Sequence, residues 1–148
     1  METLMENAAF QTFAACTAIL VIKNFLSGTY TAITRVRSKK FVNPEDARVF
    51  AGGADPAERE TDAVARALRI QRNDGENLPA FFAIGLVYVL VGASPFGAAV
   101  YLWTFTGARI LHTLAYTAGL QPWRALCFFV SVACLLGMSV QVLMSVLG

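Results

Sequence analysis

Two sets of polar side chains recur at helical spacing in an otherwise apolar chain. Arg69, Arg72, Asn73 and Glu76 are spaced i, i+3, i+4, i+7, and Arg109, His112 and Tyr116 are spaced i, i+3, i+7. Each set therefore lies along one face of a helix. Arg35 and Arg124 add guanidinium groups at the ends of apolar runs. An ionised side chain deep in a membrane span costs on the order of 2.5–3.5 kcal/mol on insertion scales, so it is kept where it is paired, snorkels to the interface or faces a wet cavity. An inter-helix network explains part of the pattern, with Glu76 neutralising one arginine and Asn73 bonding a neighbouring backbone. It leaves Arg35, Arg69, Arg72, Arg109 and Arg124 short of acids, because Asp74 only partly shares their face. Guanidinium groups in a partly desolvated cleft hold carboxylates in a bidentate fork. The pattern calls for a small polyanionic ligand.

The elements that position these groups follow from hydropathy. The chain has 148 residues, 56% of them hydrophobic, and a mean hydropathy of +0.54, too apolar for a soluble chain of this size. From Asn77 to the C-terminus the fixed charges are Arg109 and Arg124. The expectation is an all-α integral membrane protein, a multi-pass four-helix bundle in a single domain over residues 1–148. Spans are expected at about residues 8–34, 61–91, 95–118 and 122–147, with a loop at about 35–60, because a bilayer core of roughly 30 Å needs about 20 helical residues. The second span has a short apolar part and must borrow length from the charged run before it. A helix capped by Thr61 has about 30 residues and a length of about 45 Å, which lets its first turns stand in the headgroup layer.

The leader METLMEN lacks the basic region of a secretory signal, so the first apolar run is read as a span. The basic patch RVRSKK, Arg35 to Lys40, places the following loop in the cytoplasm and both termini outside. All the polar groups then gather at the cytoplasmic end of the spans. A transporter would concentrate its ionisable residues near the membrane midplane, which weighs against transport; a non-catalytic scaffold belongs to the same alternative. Cys16, Cys127 and Cys134 lack metal-ligand spacing and His112 is the single histidine, so no metal site is expected. No feature suggests nucleic acid as a partner. Pro79 is expected to kink the second span.

Several motifs carry a family resemblance. RIQRNDGEN at Arg69 to Asn77, NPEDA at Asn43 to Ala47, ARILHTLAY at Ala108 to Tyr116, LVIK at Leu20 to Lys23 and PWR at Pro122 to Arg124 resemble the MAPEG family, the membrane-associated proteins of eicosanoid and glutathione metabolism. Within it the chain is most like the microsomal prostaglandin E synthase type 1 branch. The resemblance implies homotrimers of four-helix protomers that bind glutathione in clefts between neighbouring subunits, open to the cytoplasm. It implies that Arg69, Arg72, Asn73, Glu76, His112 and Tyr116 hold the tripeptide, with Arg35 helping from the adjacent subunit. Two carboxylates and one ammonium suit several arginines and one glutamate, with Glu76 the partner for the ammonium.

Arg124 and Asp46 are the implied catalytic pair. A thiol with a pKa of about 8.5 is mostly protonated at neutral pH, and a guanidinium beside it favours the thiolate. Asp46 is expected either to carry a proton or to orient Arg124. The branch places a serine directly after this arginine, where this chain has Ala125, and Phe128, Phe129 and Val132 make the last span more apolar than the branch pattern. The implied function is a glutathione-dependent enzyme acting on a lipophilic peroxide or electrophile, with prostaglandin E synthase-like endoperoxide isomerisation as one form. Glutathione transferase or peroxidase chemistry on the same architecture is the other. The implied membrane is the endoplasmic reticulum in a eukaryote and the inner membrane in a bacterium.

Overall fold

The computed structural model describes residues 4–148. Among them the chain is all-helical: a 3-10 turn at Leu4–Glu6 is followed by α1 (Ala8–Ser38), α2 (Pro44–Phe50), α3 (Asp62–Leu90), α4 (Pro95–Ala118) and α5 (Gln121–Leu147). By length and composition, α1 and α5 can each cross a membrane.

Local chemistry explains the boundaries. Asn7 Oδ1 accepts from the Phe10 amide at 3.0 Å and caps α1. That helix runs past residue 34 to Ser38, placing Arg35 and Arg37 in its last turn, where cations complement the negative end of the helix dipole. Asn43 occupies the N-cap of α2, with Pro44 opening the helix and Glu45 and Asp46 in the first turn. This short helix lies within the segment expected to be loop. Its start signal, an Asn-Pro pair followed by two acids, is present in the sequence.

Thr61 caps α3: its carbonyl accepts from the Ala65 amide at 2.8 Å and its hydroxyl from the Val64 amide at 3.4 Å. The helix continues through Pro79 without interruption. Ser94 accepts from the Gly97 amide and Pro95 follows it, which starts α4 cleanly. Gly119, at φ 73°, ends that helix. The Leu120 amide bonds the Ala115 carbonyl at 2.9 Å and the Gly119 amide bonds that of Tyr116 at 3.2 Å, a Schellman turn. A side chain at Gly119 would strain the left-handed backbone that launches α5.

The chain divides into two compact units. One comprises α1 through Lys23 together with Gly75–Gly148. Its core contains Phe13 and Leu20 of α1, Leu78 and Phe81 of α3, Leu102 and Phe105 of α4, and Cys134 and Met138 of α5. The Phe81 and Phe105 rings stack at 4.3 Å between centroids. Tyr88 donates to Gln141 Oε1 at 2.9 Å, and Gln141 Nε2 donates to the Tyr101 hydroxyl at 3.2 Å, tying α3, α4 and α5 together. Gly137 permits this approach, since a Cβ there would lie 2.5 Å from the Tyr101 ring.

The second unit, Asn24–Asp74, holds the end of α1, α2 and the start of α3. Phe41 is buried and stacks on Phe50 at 5.7 Å. The Ala57 amide bonds the Phe41 carbonyl at 2.8 Å, which anchors the segment leading into α3.

Beside the apolar core, many large apolar side chains face outward, Phe25, Leu26, Phe129, Leu136 and Leu143 among them, while Asp74, Asn77, Thr106, Arg109, His112 and Ser131 are buried. Extensive apolar exposure with polar groups held inside suits a hydrocarbon surrounding.

Candidate functional site

On α3 the helical period separates two faces. Ile70, Asp74, Asn77, Leu78 and Phe81 are buried, a stripe at i, i+4, i+7, i+8, i+11. Arg69, Arg72 and Glu76 are exposed and Asn73 is partly so; at 100° per residue their stripe lies roughly 140° round the helix from the buried one. Asp74, expected to share part of the arginine face, is fully buried on the other side.

The α4 set behaves differently. Arg109 is fully buried, His112 is 2% exposed and Tyr116 is half-buried. Sequence phase suggested that the α3 and α4 sets face something in common; burial divides them into an exposed set and an interior set. Arg72, Asp74, Glu76, Arg109 and His112 all make polar or ring contacts within the chain.

Three expected residues come together around the α4–α5 turn. The His112 and Tyr116 rings meet edge to face at 5.6 Å. The Arg124 guanidinium carbon lies 4.5 Å from the Tyr116 ring centroid, a cation–π contact. Four residues along a helix bring His112 beside Tyr116, and the Gly119 turn carries α5 back so that Arg124, in its first turn, covers the ring. Among the described residues this half-buried guanidinium is held by an aromatic face, a pose in which it can still meet an anion.

Asp46 lies in the first turn of α2, where Asn43 Nδ2 donates to its Oδ2 at 3.1 Å. Arg35, expected to be short of an acid, has one: its Nη2 donates to Glu60 Oε1 at 2.6 Å. Sequence reasoning missed Glu60 because it is 25 residues away and belongs to no helical period shared with Arg35. The cysteines Cys16, Cys127 and Cys134 are free thiols.

A model of the MAPEG family matches residues 13–144. The chain belongs to the MAPEG family. This MAPEG chain is similar to microsomal glutathione S-transferase 1 of Homo sapiens, 41% identical over 148 residues that cover 98% of this chain and 96% of the relative. It is also similar to prostaglandin E synthase of Bos taurus, 36% identical over 140 residues that cover 94% of this chain and 90% of the relative. Family membership and the two apolar helices agree on a membrane-associated, all-helical protein.

Proposed function

We propose that the chain is a glutathione-dependent integral membrane enzyme acting on a lipophilic peroxide or electrophile. The observation that carries the reading is the exposed Arg69, Arg72 and Glu76 face of α3, in a chain similar over nearly its whole length to a protein named glutathione S-transferase. The donor set fits the tripeptide: two guanidinium groups and the Asn73 amide suit its carboxylates, and Glu76 suits its ammonium. Arg69, Arg72, Asn73 and Glu76 would hold it with His112 and Tyr116, and Arg35 of a neighbouring subunit would complete the cationic side.

An outward-facing charged stripe in a membrane needs a second copy to cover it. That need supports a homotrimer of four-helix protomers, each a single domain over residues 1–148 with α1, α3, α4 and α5 crossing the bilayer. The clefts lie between subunits and open to the cytoplasm, in the endoplasmic reticulum of a eukaryote or the inner membrane of a bacterium.

Bound there, glutathione supplies a thiol that reacts as its thiolate. Arg124 favours the thiolate by setting a fixed positive charge against it, and the Tyr116 ring restrains the arginine in that pose. Asp46 acts as a proton carrier or orients Arg124. Ala125 offers no hydroxyl, so the side chain after Arg124 takes no part in the activation.

Two reactions fit this site, endoperoxide isomerisation and glutathione transfer with or without peroxidase activity. Names among the relatives support both, and Ala125 with the apolar Phe128 favours transfer. Glutathione accounting during turnover separates them: an isomerase leaves it unconsumed, a transferase yields a thioether and a peroxidase yields glutathione disulfide. Arg124→Ala is expected to lower turnover by about two orders of magnitude while calorimetric glutathione affinity stays near normal. Equal loss of both would make Arg124 a binding residue only, and no saturable binding by the intact oligomer at millimolar glutathione would overturn the reading.

A further inference from the structure

Arg35 lies in the last turn of α1 with its guanidinium already engaged. Nη2 meets Glu60 Oε1 at 2.6 Å, and the two side chains retain 26% and 19% of their exposure. The pair is only half made. A guanidinium and a carboxylate placed squarely form two parallel bonds, yet Arg35 Nε and Glu60 Oε2 are both buried with no hydrogen-bond partner among the described residues. A buried polar group left in that condition costs about 1–3 kcal/mol.

The chain itself limits the fork. Glu60 immediately precedes Thr61, whose capping bonds start α3, so its carboxylate reaches Arg35 from an anchored backbone. A carboxylate on a diffusing ligand has no such restraint and can satisfy Nη2 and Nε together.

We propose that Glu60 is a positioning residue that holds Arg35 ready by standing where a ligand carboxylate binds, and that glutathione displaces it by carboxylate exchange. The inference rests on the reading of Arg35 as one of the cofactor's cationic contacts. Glu60 keeps the guanidinium extended in the absence of ligand and lowers glutathione affinity by the strength of its own hold. Ligand binding releases residues 51–61 from the end of α1.

The test is calorimetric titration of glutathione into the intact purified oligomer and into Glu60→Gln, Glu60→Asp, Arg35→Ala and the Glu60→Gln/Arg35→Ala double variant. Hydrogen exchange of residues 51–61 is followed in parallel. Glu60→Gln is expected to bind about threefold to tenfold tighter, Glu60→Asp to return toward the parent affinity, and the gain to vanish in the double variant. Exchange of residues 51–61 is expected to rise on saturation in the parent protein and not in Arg35→Ala. A purely structural Glu60 would not tighten binding when neutralised.

Unchanged or weaker binding by folded Glu60→Gln, or a gain that survives loss of Arg35, overturns the proposal. If Glu60→Gln fails to fold, the exchange data on the parent protein decide, and a flat response to saturating glutathione overturns it. If the parent binds no glutathione, the cofactor reading fails separately. The same proteins are then titrated with glutarate, where the absence of tightening in Glu60→Gln overturns carboxylate exchange and its presence supports it.

Discussion

The charged face of α3 and the polar face of α4 are built from similar residue types and end in opposite surroundings. Arg69, Arg72 and Glu76 are exposed, whereas Arg109 and His112 are buried. The difference separates two uses of charge in a membrane. Arg109, Arg72 and Glu76 all have contacts inside the chain, but Arg109 is fully buried whereas Arg72 and Glu76 also face outward. On the reading above, that outward face meets a tripeptide and a second subunit.

Substitution should sort the two faces by which measurement moves. The largest effect is expected from Arg109→Leu. Removing a buried charge strands the groups that compensated it, at a cost of about 3 kcal/mol, read as a lower thermal midpoint of the detergent-solubilised protein. A midpoint like that of the parent would break the comparison by making Arg109 dispensable to packing.

Next is Arg72→Ala, expected to weaken glutathione binding about 10- to 100-fold through loss of a charge-assisted fork. Its thermal midpoint should stay within a few degrees of the parent, since the side chain lies on the exposed face. A large fall in midpoint without loss of affinity would move Arg72 into the structural class. The smallest effect is expected from Glu76→Gln, about fivefold in affinity, because a neutral amide still accepts from an ammonium. Unchanged calorimetric binding would remove Glu76 from the ammonium role and narrow the ligand-facing part of α3 to its arginines.

Much of this was legible in local chemistry. A mean hydropathy of +0.54 requires an apolar environment, and Thr61, Ser94 with Pro95, and Gly119 mark helix ends whose bonds lie within a few residues. The spacing of Arg69, Arg72, Asn73 and Glu76 defined one face of α3 because the α-helical period is a property of the backbone. The same residues carried the family resemblance. The start of α2 is equally local, in Asn43 and Pro44, but one apolar face of seven residues is too short to register as a period.

What lay beyond the sequence was everything set by a partner far along the chain. Phase alone cannot tell which side of α3 or α4 turns inward, because both faces carry polar groups and apolar side chains occur both inside and outside. Burial of Asp74, Arg109 and His112 is therefore a tertiary fact. So are the seating of Arg124 on Tyr116 across the Gly119 turn and the bond from Arg35 to Glu60. Sequence determined where helices begin and which residues share a face, since those depend on bonds spanning a turn or two. Only packing decided which face is buried and which acid meets which arginine, since those depend on groups that the chain brings together after its helices have formed.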